Sequence, residues 1–101
     1  MIKNIANYKF IKQLQALTFI DEIWLFGSRA RGDNTQRSDI DLAIVCSNAT
    51  NDDWLTVMNI IEEADTLLKI DCVRLEFKNI SEELYNNILK DKKVIYVKGT
   101  N

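Results

Sequence analysis

The sequence contains no histidine and no proline, and it has only three glycines and two cysteines among its 101 residues. Without histidine, the chain cannot itself supply a Ser-His-Asp or Cys-His arrangement, so its chemistry must use carboxylates, Lys, Arg, Tyr or a metal ion. Cys46 and Cys72 do not form a C-x-x-C pair, and each lies at the end of an apolar strand-like run. We therefore predict that both cysteines are small buried hydrophobic residues.

The sequence also lacks a large net charge of either sign, and it lacks a long apolar run. The formal net charge is −2, and the basic residues are scattered except for Arg29, Arg31 and Arg37, which disfavours general nucleic-acid binding. Lysines interrupt the apolar residues of the first segment, which argues against a secretory signal and a membrane span. We expect a cytoplasmic protein that has no membrane contact and binds no nucleic acid directly.

What is present fits an ordinary compact domain. Hydrophobic residues make up 47% of the chain and charged residues 28%, which is typical of a globular protein and not of a disordered or fibrous one. A chain of this length has the common size of one domain. We therefore expect residues 1–101 to form a single domain that folds without a metal ion or a disulfide.

The hydrophobic pattern predicts an α/β (α+β) fold, in which a small mixed sheet of about four strands is flanked by helices. Helical spacing extends over residues 3–18 and 52–68, and a shorter helix follows Ser81. Strands are predicted at residues 22–26, 39–45, 70–77 and 94–97. Residues 28–38 are polar and form a loop that opens with one helical turn. The predicted order is αβ(loop)βαβαβ.

Two carboxylates at the start of the second strand are the first candidates for chemistry. Asp39 and Asp41 are two residues apart, so a strand projects both side chains from the same face. Their charges repel unless a cation lies between them or one takes up a proton, and hard oxygen ligands of this kind suit Mg²⁺. A D-x-D pattern alone is also typical of a solvated strand edge, but a third acid, Asp71, begins the third strand.

The expected topology brings these residues together. If the first two strands pair antiparallel and the helix at residues 52–68 makes a right-handed crossover, the second and third strands are parallel. The starts of these two strands then meet the end of the first strand at one edge of the sheet. This edge lies opposite the carboxyl-terminal edge that ligands usually occupy in open α/β sheets. The residues gathered there are Gly27, Ser28, Asp39, Asp41 and Asp71.

Gly27 and Ser28 predict a phosphate cradle beside the carboxylates. Glycine allows the backbone to approach a phosphate closely, and Ser28 offers a backbone N–H and a hydroxyl at the start of a helical turn. A Gly-Ser pair after a strand is usually an ordinary turn, so the pair is informative only in combination with the carboxylates.

Three arginines in the same polar segment could contact a triphosphate, because guanidinium groups match phosphate oxygens. Arg29 is the preferred nucleotide-binding arginine, and Arg31 and Arg37 remain open between phosphate contact and a solvated loop.

The spacing of these residues resembles a known signature. Gly27-Ser28, ten intervening residues and then Asp39-Ile40-Asp41-Leu42 resemble the motif of the DNA polymerase beta-like nucleotidyltransferase superfamily. The segment GSRARGDNTQRSDIDLAIV is similar to the minimal nucleotidyltransferase (MNT) branch, whose members comprise little beyond the catalytic core. The resemblance covers about residues 23–77, and it implies the nucleotidyltransferase fold.

The resemblance also implies the ligands of the site. It assigns two Mg²⁺ ions to Asp39, Asp41 and Asp71, and the triphosphate of ATP to Gly27 and Ser28. Glu76 is a weaker rival to Asp71, because an odd separation along a regular strand points the two side chains to opposite faces. The implied reaction transfers a nucleoside monophosphate to an acceptor hydroxyl, and pyrophosphate leaves.

Members of the MNT branch are often antitoxins paired with a helical toxin of the HEPN type, which they silence by adenylylating a Tyr. The resemblance thus implies a Mg²⁺-dependent protein adenylyltransferase that uses ATP and pairs with such a toxin. The assembly stays open between an oligomer and a hetero-oligomer. One alternative is an antitoxin that neutralises its partner by docking, with slow or absent catalysis. Another is a small-molecule nucleotidyltransferase, which we disfavour because such relatives usually carry an added domain for the acceptor.

Overall fold

The computed structural model of the protein describes residues 5–76 and 80–99. A short 3-10 helix, Ile5–Asn7, opens the described chain. The helices are α1 (Lys9–Gln15), α2 (Ser28–Arg31), α3 (Asn51–Glu62) and α4 (Glu82–Asp91). The strands are β1 (Glu22–Phe26), β2 (Ile40–Val45), β3 (Ile70–Arg74) and β4 (Lys93–Val97). The predicted class and element order are confirmed, including the helical turn that opens the polar loop.

The four strands form one mixed sheet in the order β3-β2-β1-β4. β1 pairs antiparallel with β2 and with β4, and β2 pairs parallel with β3. The two predicted strand pairings are therefore confirmed, with α3 as the crossover between β2 and β3. The register places Phe26 opposite Asp41, and Asp41 opposite Asp71. One row across the sheet thus joins the end of β1 to the starts of β2 and β3.

The alternation of side chains along the strands separates two packed faces. One face contributes Ile23, Leu25, Ile40, Leu42 and Ile44 to the main core, which includes Phe10, Ile11, Leu14 and Val57 of α1 and α3. The other face contributes Trp24, Phe26 and Ala43, which pack against Ile88 of α4. Each fully buried aliphatic or aromatic side chain stabilises the fold by about 1.5–3 kcal/mol. Because residues alternate, Asp41 and Asp71 share the face on which α4 packs.

The long helices are shorter than the sequence predicts. The expected helix at residues 3–18 comprises the 3-10 turn and α1, and its first two residues lie outside the described part. α3 begins after Thr50, whose hydroxyl accepts from the backbone N–H of Asp53 at 3.1 Å while the Asp53 carboxylate accepts from Thr50 N–H at 2.9 Å. α3 ends at Glu62 rather than at residue 68. No helix among the described residues has the length and apolar character needed to cross a membrane.

A long-range contact lies just beyond the early end of α3. The Asp65 carboxylate accepts hydrogen bonds from the backbone N–H groups of Lys9, at 3.1 Å, and Phe10, at 3.2 Å. It thereby satisfies two donors in the first turn of α1 that lack intrahelical partners. Asp65 makes these bonds from the connection that follows α3. Leu68 still packs against the main core, but it does so from the connection that leads into β3.

The two cysteines are free thiols in apolar surroundings. Cys46 is buried, and Cys72 is partly buried against the main core. Burial raises the pKa of both thiols, and it raises that of Cys72 from 9.0 to about 12. The prediction of small hydrophobic cysteines agrees with this packing.

Both cysteines are therefore expected to resist alkylation while the protein is folded, because the thiolate is the reactive species. Iodoacetamide at pH 8, followed by intact mass measurement, should modify the denatured protein quickly and the folded protein only at its rate of unfolding. The raised pKa of Cys72 also makes folding stability pH-dependent: this contribution is present below about pH 9 and is lost as the pH rises toward 12. Equal alkylation rates in the folded and denatured protein would contradict this prediction.

Candidate functional site

The backbone of Gly27 lies directly against the carboxylate of Asp41. Gly27 has φ 75° and ψ −158°, a region that only glycine adopts readily. A Cβ at this position would overlap Asp41 Oδ2 and would lie 3.1 Å from Asp41 Cγ. The turn from β1 into α2 therefore requires glycine for its dihedral angles and also for space. The end of β1 and the start of β2 form one closely packed corner.

Asp41 and Asp71 form a carboxylate pair at this corner. They are register partners on β2 and β3, and Asp71 is close enough for its carboxylate to raise the pKa of Asp41. Burial raises the pKa of the Asp41 carboxyl, and the neighbouring negative charges of Asp71 and Asp39 raise it further. Lys69 Nζ lies 3.6 Å from Asp71 Oδ1, but both side chains are exposed, so this ion pair offsets little of the repulsion. The pair is electrostatically strained without a closer cation.

Asp39 lies beside this pair and does not join it. β2 begins at Ile40, one residue later than predicted, and its backbone N–H donates to Lys69 O at 2.9 Å. Asp39 therefore precedes the strand, so strand alternation alone does not set the direction of its side chain. Across residues 5–76 and 80–99, no three His, Cys, Asp or Glu side chains are grouped closely enough to hold a metal ion. The carboxylates that lie together at this corner are those of Asp41 and Asp71.

Glu76 does not occupy an alternating position on β3. The strand ends at Arg74, and the Glu76 carboxylate pairs with Arg74 Nε at 3.1 Å. The predicted strand at residues 70–77 is thus too long, and its last residue lies outside the described part. The parity argument between Asp71 and Glu76 therefore does not apply. The register with Asp41 supports Asp71 instead.

Ser28 begins α2, a helix of four residues. The backbone N–H groups of Ala30 and Arg31 both donate to Gly27 O at 3.1 Å, and Gly32 N–H donates to Ser28 O at 2.9 Å. Gly32 ends the helix in the left-handed conformation, with φ 87°. The structure thus places Ser28 at the start of a tight helical turn, next to the corner that Gly27 and Asp41 form.

The three loop arginines have different surroundings. The Arg29 guanidinium donates from Nη2 to Ser38 O at 2.9 Å and to Gln36 O at 3.3 Å, and from Nε to Ser38 O at 3.2 Å. Arg31 pairs with Asp33 at 3.1 Å and with Asp91 of α4 at 2.7 Å. Arg37 is exposed. The structure therefore directs the side chain of Arg29, predicted to bind nucleotide, toward the protein backbone.

A cavity of about 460 Å³ lies beside Gly27, between the end of β1, α2 and α4. Its lining residues are Phe26, Gly27, Arg31, Leu84, Asn87, Lys90 and Asp91. The residues of α4 are not among the site residues predicted from the sequence. The available signal was the helical spacing of Leu84, Asn87 and Asp91, which places them along one side of α4. Nothing in the sequence indicated that this side faces Gly27.

Comparison with known proteins identifies the family. The sequence model of the polymerase beta nucleotidyltransferase family matches residues 8–101. The chain belongs to this family. No curated protein matches this nucleotidyltransferase significantly.

Solved structures share the fold of this nucleotidyltransferase. A toxin-antitoxin crystal structure with AMP-PNP has 22% identity and a TM-score of 0.63, covering 90% of this chain and 70% of its own. A mutant of the toxin-antitoxin MntA-HpeT has 28% identity and a TM-score of 0.62, covering 90% and 72%. A protein from Sulfolobus solfataricus, provisionally described as a nucleotidyltransferase, has 22% identity and a TM-score of 0.61, covering 92% and 78%. The expected nucleotidyltransferase fold and the resemblance to the MNT branch are confirmed.

Proposed function

We propose that this nucleotidyltransferase is a cytoplasmic antitoxin that transfers AMP from ATP to a Tyr of a HEPN-type toxin. The observation that carries the proposal is the contact between the Asp41 and Asp71 carboxylates directly beside Gly27. A structural role would not bring two like charges together at a half-buried corner, because their repulsion costs stability. Family membership supports nucleotidyl transfer, and the similarity to toxin-antitoxin structures supports the class of partner.

The residues at this corner fit Mg²⁺. The carboxylate oxygens of Asp41 and Asp71 are hard ligands. Burial and the nearby charges of Asp71 and Asp39 raise the pKa of Asp41, so a bound cation would favour its charged form. Asp39 is near enough for its charge to act on Asp41, and we propose it as the third ligand. Bound Mg²⁺ would polarise the α-phosphate and lower the pKa of the attacking hydroxyl. We assign two such ions to these three aspartates.

Gly27, Ser28 and Asp71 have separate roles toward the two substrates. Gly27 lets the backbone approach the triphosphate, and Ser28 offers its N–H and hydroxyl to the phosphate oxygens. The acceptor hydroxyl forms a bond to the α-phosphorus as the bond to the bridging oxygen breaks, and pyrophosphate leaves with that electron pair. Asp71 accepts the proton of the hydroxyl, since its side chain is 45% exposed and thus accessible to an incoming acceptor.

The cavity beside Gly27 offers space for the nucleotide. It lies on the same sheet face as Asp41, and its volume of about 460 Å³ is within the range of small-molecule sites. Phe26 and Leu84 supply apolar surface, and Lys90 supplies positive charge close to the corner. We therefore propose that ATP lies between this cavity and the two carboxylates.

A second candidate function is neutralisation of the toxin by docking, with weak or absent catalysis. One observation favours it: in the described part of the chain, Asp39 does not complete a three-carboxylate group with Asp41 and Asp71. A site that cannot hold two metal ions would transfer AMP slowly. The two candidates share a fold and a partner, and they differ in the product that they leave on the toxin.

Incubation with Mg²⁺, labelled ATP and the candidate toxin separates these functions. Label from α-labelled ATP should appear on the toxin, whereas γ-labelled ATP should leave it unlabelled, because adenylylation retains only the α-phosphate. Replacing the acceptor Tyr of the toxin by Phe should abolish the label. Stable binding of the toxin without label would favour the docking candidate. Label from the γ-phosphate would contradict both candidates.

A further inference from the structure

We propose that Arg29 is a positioning residue that holds Asp39 at the carboxylate corner, and that it is not a ligand of the triphosphate. The catalytic part of this inference rests on the proposed function. The structural part rests on three hydrogen bonds between the Arg29 guanidinium and two backbone carbonyls. Arg29 directly follows Ser28, and one of the two carbonyls belongs to Ser38, which directly precedes Asp39.

The guanidinium connects two segments that the chain itself joins only through a loop. Nε and Nη2 of Arg29 both donate to Ser38 O, at 3.2 and 2.9 Å, and Nη2 also donates to Gln36 O at 3.3 Å. The planar fork of arginine suits two parallel donors to one oxygen, which a lysine ammonium at the same place cannot present in this way. α2 and the entry to β2 are thereby tied together.

The loop that Arg29 ties to α2 is itself a tight turn. Thr35 N–H donates to Ser38 Oγ at 2.8 Å, and Ser38 N–H donates to Thr35 O at 3.2 Å. On its first side, the segment is joined to α2 where Asp33 N–H donates to Ser28 O at 3.1 Å. Arg29 adds a contact on the other side of the turn, at the last residue before Asp39.

The position of Asp39 matters because the aspartate lies outside the regular strand. Asp41 and Asp71 are held by paired strands, whereas Asp39 precedes β2 and lies between the loop and Ile40, whose N–H donates to Lys69 O. A guanidinium that swung toward a triphosphate would give up its bonds to Ser38 O and Gln36 O, and it would release this loop. Loss of Arg29 should therefore affect metal binding and turnover more than the affinity for ATP.

The test compares Arg29→Met and Arg29→Lys with Arg37→Met, which removes the same charge from the same connection between β1 and β2. Mn²⁺ affinity is measured without nucleotide by electron paramagnetic resonance or calorimetry, and the KM for ATP and kcat are measured with the labelled-ATP assay. Both Arg29 variants should bind Mn²⁺ about 10- to 100-fold more weakly and lose kcat, the range found for residues that orient metal ligands. The KM of the two Arg29 variants for ATP should stay within about threefold of the wild-type value. The Mn²⁺ affinity of Arg37→Met should also stay within about threefold of the wild-type value.

Amide hydrogen exchange provides a readout that does not depend on the reaction. Exchange at residues 33–39 should increase in Arg29→Met and remain unchanged in Arg37→Met, with the strands still protected. Unchanged exchange in Arg29→Met, or a loss confined to the KM for ATP that Arg29→Lys restores, would overturn the inference and make Arg29 a phosphate ligand. If the wild type binds neither Mn²⁺ nor ATP, the proposed function fails, while the exchange result still decides the role of Arg29.

Discussion

The Asp41→Asn variant is expected to lose about 10²–10⁴-fold in transferase activity while its fold stays intact. Asp41 lies at the centre of the candidate site, against Gly27 on one side and Asp71 on the other. An amide has nearly the shape of the carboxylate but lacks the charge that would hold Mg²⁺. Loss of metal-based charge stabilisation is worth several kcal/mol in the transition state, and each 1.36 kcal/mol corresponds to about a tenfold change in rate. Single-turnover labelling of the toxin measures this loss.

The same substitution should raise the melting temperature of the metal-free protein. The folded-state pKa of Asp41 is raised, so its contribution to stability is present at acidic pH and is lost as the pH rises through the folded pKa. At neutral pH the charged carboxylate therefore destabilises the folded state, and Asn removes that cost. Added Mg²⁺ should stabilise the wild type and have little effect on Asp41→Asn.

Asp52→Asn is a matched control, because it makes the same chemical change at an exposed position in the first turn of α3. It should retain activity, and it should not raise the melting temperature, since a carboxylate near a helix N-terminus is favourable. Full activity of Asp41→Asn would contradict the proposed function. A lower melting temperature of the metal-free Asp41→Asn variant would show that the carboxylate is not strained at this corner.

Gly27→Ala is expected to destabilise the protein and to remove activity together. The backbone angles of Gly27 lie in a region that costs other residues of order 1–3 kcal/mol. For a domain of this size, each 1 kcal/mol lowers the melting temperature by roughly 4–8 °C. The added Cβ would also overlap Asp41 Oδ2, so the carboxylate must move even where the fold survives. Thermal denaturation and the labelling assay measure the two effects.

The Gly32→Ala variant distinguishes the effect of backbone strain from the effect of steric overlap with Asp41. Gly32 also has positive φ, at 87°, but a Cβ there would meet no atom within 4 Å. This variant should lose stability from its left-handed backbone and keep activity at temperatures where it remains folded. Equal loss of activity in the two variants would show that backbone strain alone explains the effect. Retained activity in Gly27→Ala would show that the close approach to Asp41 is unnecessary.

Local patterns predicted much of the fold because their causes act over a few residues. The bounds of β1 agree with the prediction, and α3 begins within one residue of its predicted start. The length of the segment between β2 and β3 also predicted their parallel pairing, since only a crossover connection joins parallel neighbours. Those pairings were enough to bring the Gly27-Ser28 turn, Asp41 and Asp71 to one edge of the sheet.

Predictions failed or stayed open where a contact joins distant residues. Asp65, just beyond the early end of α3, caps α1, and Arg31 is held by Asp91, sixty positions later. The cavity beside Gly27 depends on α4, whose place over the sheet follows from the packing of Ile88. The spacing of residues along the chain contains no information about these distances.

The sequence by itself determined the kind of site, because Gly27-Ser28 and Asp39-x-Asp41 form a short motif whose spacing is set by the covalent chain and the period of a strand. It also determined the edge of the sheet on which the motif lies. Only the tertiary structure decided which of these residues meet. It placed Asp41 against Asp71 and Gly27, left Asp39 beside them, and turned Arg29 toward Ser38 O. These contacts depend on how strands and loops pack in space, which local periodicity does not specify.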